Sequence, residues 1–187
     1  MSKHSRTSFK GVVAAAVLLL LLSTSAMSQD VATGTATATL QIALTVTATA
    51  PLAFGAVYQG VMKAIAKDNA SAGVFTITGE PDANIAVYMQ LPDYLTTDAA
   101  SGNGDDRMVV AFTTTDANVD TTGAAAPAGF VAGDGWVDED PHNFNSAITV
   151  GSGGTCVYLG GTVWPSVDQK AGDYEADIVL TVAYTGT

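Results

Sequence analysis

The chain has 187 residues, 18 of them acidic against 7 basic, with a formal net charge of −11 and an apolar share of 48%. That balance excludes nucleic acid and anionic membrane surfaces as electrostatic partners, because a strongly negative surface repels both. A single cysteine, Cys156, excludes an internal disulfide.

Residues 1–28 read as a signal peptide. Lys3, Arg6 and Lys10 form a positive start, Val12 to Leu22 is an unbroken apolar run of 11 residues, and "STSAMS" supplies small side chains for a peptidase. Ala26 and Ser28 suit a cut ahead of Gln29, with a cut after Ala26 as second choice. A spanning helix needs roughly 20 apolar residues, so no stable membrane anchor is expected and the chain is expected to be exported, to the cell surface or beyond it through the periplasm. The remainder, residues 29–187, is long enough to build its own core. It keeps Lys63, Lys67, Arg107 and Lys170 as cations against all 18 acidic residues, hence a net charge of −14.

Strand signals follow in order. "TATATLQIALTV" (35–46) places Leu40, Ile42, Leu44 and Val46 on one face of an extended chain, with Ala38, Ala36 and Gly34 continuing the alternation upstream. Next come "PLAFGAVY" (51–58), "AGVFTITG" (72–79), "NIAVYMQLP" (84–92) and "RMVVAFTT" (107–114). After them stand "SAITVG" (146–151), "TCVYLGGTVW" (155–164) and "DYEADIVLTVAY" (173–184). In the last of these Ala176, Ile178, Leu180, Val182 and Tyr184 share one face. Residues 115–145, rich in Ala, Gly, Thr and Asp, read as a long surface loop with room for one short strand. No stretch after residue 28 sustains helical periodicity. Seven or eight short strands separated by Gly, Pro, Asn and Asp predict an all-β chain, a single antiparallel β-sandwich.

Residues for catalysis are scarce. His142 is the one histidine beyond the signal, and neither it nor Cys156 lies in a catalytic motif; Cys156 reads as a buried small hydrophobe. No enzymatic activity and no cofactor are expected. The acidic stretch "GDGWVDEDPHNFN" (133–145) offers Asp134, Asp138 and Asp140 as calcium candidates, since calcium takes six to eight oxygen ligands. The spacing is not that of an EF-hand, and a solvated acidic loop is the competing reading. Trp136 and Phe144 beside it read as a hydrophobic clasp for the loop or as a sugar-stacking pair.

"LAFG" (52–55), "FTITGEPDANIAVYMQLP" (75–92), "YLGGTV" (158–163) and "AGDYEADIVLTVAY" (171–184) together resemble the domain of unknown function 4402 family of secreted bacterial β-sandwich proteins. The same outline is similar to spore-coat-U and archaic chaperone–usher pilin subunits. That resemblance implies an immunoglobulin-like sandwich lacking a strand, completed by an N-terminal extension of the next subunit. Residues 29–43 would be the donor strand, with Ala36, Ala38, Leu40 and Ile42 at the interface. The implied partners are further copies of the chain, in filaments, and a periplasmic chaperone and usher. The cysteine pair usual in those pilins is missing here. Two readings therefore stand: a fimbria-like structural subunit, or a self-contained secreted or cell-surface binding module, glycan- or adhesin-like, using residues 115–145. They differ in whether residues 29–48 pair with another chain or with their own.

Overall fold

The computed structural model describes residues 31–38, 40, 42–97, 106–122, 136–145 and 148–185. Two compact units divide the chain, residues 1–39 and 40–187. In the first, residues 31–38 have no regular secondary structure and each is exposed. The second is an antiparallel β-sandwich.

The described residues form twelve strands: β1 (Thr45–Ala50), β2 (Lys63–Ile65), β3 (Gly73–Thr78), β4 (Asn84–Gln90), β5 (Tyr94–Thr96), β6 (Arg107–Ala111), β7 (Ala117–Asp120), β8 (Trp136–Glu139), β9 (Ile148–Thr149), β10 (Thr155–Leu159), β11 (Gly161–Trp164) and β12 (Val179–Tyr184). One layer is a five-stranded sheet in the order β1-β3-β10-β7-β8. The other consists of a four-stranded piece, β2-β11-β6-β5, and a three-stranded piece, β12-β4-β9. These two are tied together because the chain runs from β4 into β5 across Leu91–Asp93, and because Thr96 bridges Glu175, upstream of β12.

Period-2 alternation explains the layers. Phe75 and Ile77 of β3, Val157 and Leu159 of β10, and Ala117 and Val119 of β7 point inward against Ile85 and Met89 of β4. Leu180, Val182 and Tyr184 of β12, Val46 of β1 and Leu44 just before it pack on the same cluster, each only partly buried. Met108, Val110 and Val163 make a second cluster, on which Phe54, Val57, Leu95 and Tyr174 pack.

Twelve strands rather than seven or eight arise because long extended runs change sheets midway. The run 155–164 splits at Gly160, leaving β10 in one layer and β11 in the other. A Cβ at Gly160 would stand 2.5 Å from the carbonyl oxygen of Ile65 and 2.8 Å from the amide nitrogen of Lys67, so the crossing needs a residue without a side chain. Likewise β1 leaves the five-stranded sheet at Ala50, and residues 51–62 carry the chain across to β2 on the edge of the other layer. "PLAFGAVY" is therefore an extended connection and not a ladder strand; Gly55 turns it with φ of +62°, a left-handed backbone that favours glycine.

Residues 115–145 differ from the loop expected of them. Within this stretch β7 lies between β10 and β8, with all four of its residues buried, and β8 forms the sheet edge. The alternation of β7 is Ala117 and Val119 inward, Asn118 and Asp120 outward, with the outward pair buried as well. Two buried polar residues in a strand of four conceal the pattern that marks a strand.

Candidate functional site

The β1 and β12 edges lie side by side along one seam of the sandwich, and the seam is closed at one end and open at the other. Tyr184, the last residue of β12, closes it. Its hydroxyl donates to the Ile42 carbonyl oxygen at 2.7 Å and accepts the Glu80 N–H at 2.7 Å. Glu80 Oε2 in turn accepts the Ile42 N–H at 3.3 Å. Gly79 leaves room for this corner, since a Cβ there would lie 2.6 Å from both the Tyr184 hydroxyl and a Leu44 methyl.

Moving away from that corner, β1 runs up to Ala50 and β12 runs back from Tyr184 to Val179. Beyond those points the flanking segments, 51–57 and 172–178, border an open groove of about 650 Å³. Leu52, Phe54, Met108, Val110, Phe112 and Ile178 supply its apolar surface. The chain upstream of β12 keeps its alternation: Tyr174, Ala176 and Ile178 are half-buried, and Glu175, Asp177 and Val179 are exposed. Its ladder partners are all on one side, β4 for β12 and Thr96 for Glu175. An extended segment with its inward side chains only half covered and, among the described residues, one hydrogen-bonding edge without a ladder is what β-strand addition requires.

The four residues named for the donor interface divide. Ala36 and Ala38 are exposed, in the segment without regular structure. Leu40 is 96% exposed and Ile42 57% exposed. Ile42, however, is held through both backbone groups at the Tyr184 corner. The sequence pattern carried no sign of that anchor, because its partners lie far along the chain.

Three acidic side chains of the stretch have protein partners. Asp138 pairs with Lys67 at 2.7 Å, Glu139 is buried and accepts the Asn145 N–H at 2.8 Å, and Asp140 Oδ1 accepts the His142 N–H at 2.9 Å in a turn closed by Asn143. Asp134 lies outside the described residues. No group of three or more histidine, cysteine or acidic side chains placed to hold a metal occurs among the described residues. Phe144 is half-buried and packs on the main core, and the side chain of Trp136 lies outside the described set.

Cys156 is wholly buried on the outward face of β10, beside Val74 and Tyr158. Burial pushes its thiol above the ordinary range, and burial pushes the Tyr158 phenol up likewise. The His142 ring nitrogen Nε2 lies 3.1 Å from the Phe112 carbonyl oxygen, whereas the Cys156 sulfur faces Thr76 Oγ1 at 3.8 Å. These separate partners give no thiol–imidazole pair. No helix among the described residues is long and apolar enough to cross a membrane.

Comparison with protein-family models, with curated proteins and with solved structures finds no match.

Proposed function

We propose that the chain is an exported structural subunit that assembles into filaments by β-strand donation, each copy filling the groove of a neighbour. The observation that carries this reading is the open groove bordered by residues 51–57 and 172–178. Residues 172–178 are seven in number and, fully extended, span about 23 Å at strand rise. Gly34, Ala36, Ala38 and Leu40 are the alternate positions of another seven-residue stretch, and the three of them before Leu40 are small enough for a narrow cleft. Leu40 is the large apolar group of the set and is left in solvent in the isolated chain. Because Ile42 is anchored at home, the donated part is residues 32–40, and the Tyr184 corner is where donor ends and sandwich begins. Main-chain hydrogen bonds along the open edge of residues 172–178 supply affinity and the alternate side chains supply register. Repeated head to tail without closure, such a contact builds a fibre. The resemblance to chaperone–usher pilins supports the same reading, and it implies a chaperone that occupies the groove before assembly.

Leu40→Asp tests it. In the isolated subunit the side chain is exposed, so stability should change by less than about 0.5 kcal/mol. Light scattering of the purified secreted chain should show polymers for the wild type and monomers for the variant. A synthetic peptide of residues 32–42 should raise the melting temperature of the variant by filling its groove. A wild-type chain that stays monomeric, with residues 32–42 protected from protease, would overturn the proposal and leave a self-contained module.

A further inference from the structure

On the outward face of the four-stranded sheet, three large side chains stand in one row across adjacent strands. Trp164 of β11 is directly opposite Val109 of β6, and Val109 is directly opposite Tyr94 of β5. All three are exposed, by 50%, 43% and 45%, while the alternate residues Met108, Val110 and Val163 face the core. The two aromatic residues sit two strands apart, so their backbones are separated by about 9.5 Å. The rim of the row is polar. The Arg107 guanidinium stands over the Tyr94 ring at 5.9 Å from its centre, Thr96 lies opposite Arg107, and Thr162 lies opposite Ala111 on the other side of the row. Past Ala111 the sheet opens into a shallow cleft of about 450 Å³ to which Gln90, Asp93 and His142 contribute.

We infer that this face binds an extended, neutral, β-linked polysaccharide, stacking one sugar ring on Trp164 and the next but one on Tyr94. A pyranose has an apolar face of C–H groups and a rim of hydroxyls, which matches aromatic rings bordered by hydrogen-bonding side chains. In an extended β-linked chain every second sugar presents the same face, at a repeat close to the spacing of the two strands. Size argues against a second copy as occupant. At about 150–250 Å² for a whole aromatic side chain, two that are half exposed and one half-exposed valine offer on the order of 200–300 Å², well short of the ≈ 800 Å² per partner of a standard protein interface. Charge argues against a polyanion or an acidic lipid surface, since the chain as a whole carries −11 and Arg107 is the cation of the row. The platform faces away from the groove lining, so it is independent of strand donation.

The test is calorimetric titration of the full secreted chain with cellohexaose and chitohexaose, with maltohexaose as the coiled α-linked comparison. Saturable binding of at least one extended glycan and none of maltohexaose is expected. Trp164→Ala and Tyr94→Ala should each weaken it at least tenfold, with unchanged circular dichroism, while Tyr58→Ala, an exposed tyrosine off the row, should bind as the wild type does. The inference is overturned if neither extended glycan binds, if both row variants bind like the wild type, or if Trp164→Ala abolishes self-association or adsorption to anionic vesicles in place of glycan binding.

Discussion

Tyr184→Phe isolates the closed end of the seam with one oxygen atom. The ring stays, and with it the packing against the main core. What goes is a hydroxyl that holds two backbone groups, the Ile42 carbonyl and the Glu80 N–H, each at 2.7 Å. A net hydrogen bond contributes about 0.5–1.5 kcal/mol, and a fully buried orphan would cost about 1–3 kcal/mol more. Ile42 is more than half exposed, so water reaches its released carbonyl and that orphan penalty is mostly avoided, while the Glu80 N–H is part-buried. Two such bonds give an expected loss of about 1–3 kcal/mol, or about 2–12 °C in Tm at about 2–4 °C per kcal/mol for a domain of this size. Thermal and urea unfolding should be measured in the Leu40→Asp background, so that assembly does not add to the apparent stability. Limited proteolysis supplies a second readout: the protected boundary should retreat from near Ile42 into β1. Unchanged stability together with an unchanged boundary would refute the claim that Tyr184 sets where the home sandwich begins.

Gly160→Ala places a Cβ against two backbone atoms that belong to the other layer; it should destabilise by on the order of 3–5 kcal/mol, in the range reserved for core disruption, and a denaturation midpoint close to wild type would show that the crossing is not tight. The Cys156 thiol and the Tyr158 phenol are both raised by burial, so the folded chain holds these protons more firmly than the unfolded one. Their stabilisation is complete below the ordinary thiol range and declines as pH rises through and above it; urea midpoints should therefore fall on going to alkaline pH, and Cys156→Ser should flatten the onset of that fall. The same burial should keep the native thiol unreactive toward a disulfide reagent, with full reaction in denaturant.

What the sequence disclosed and what it hid follow one physical division. Runs whose apolar residues alternate or cluster, such as Val74–Ile77, Ile85–Met89 and Ile178–Tyr184, declared themselves as strands because side chains on a pleated chain sort by parity. The four residues of β7 did not, since Asn118 and Asp120 are buried with Ala117 and Val119. Parity then separates one buried face from another, and hydropathy no longer records it. The three residues of β2 are too short to show a period at all.

The site divides the same way. Alternation from Gly34 to Val46 was visible, yet a continuous pattern cannot say where one chain stops filling its own core and begins filling another. In the proposed assembly that point falls at Ile42, whose carbonyl is held by a tyrosine 142 residues away, and no local signal encodes a contact of such span. The groove has the same origin. Segments 51–57 and 172–178 are each unremarkable as sequence, and only the sheet order, which puts β1 and β12 at facing edges, turns them into its two walls. The half-buried side chains just upstream of β12 then gain a specific meaning. In a closed sandwich an edge strand with this alternation would be covered by its neighbour, whereas here Ile178 and the residues beside it remain open to solvent along the groove. An apolar edge of this kind invites uncontrolled pairing unless something occupies it. The strand-donation proposal supplies an occupant from the same sequence: residues 34–40 have the right parity and small side chains, and their described members lie in no ladder.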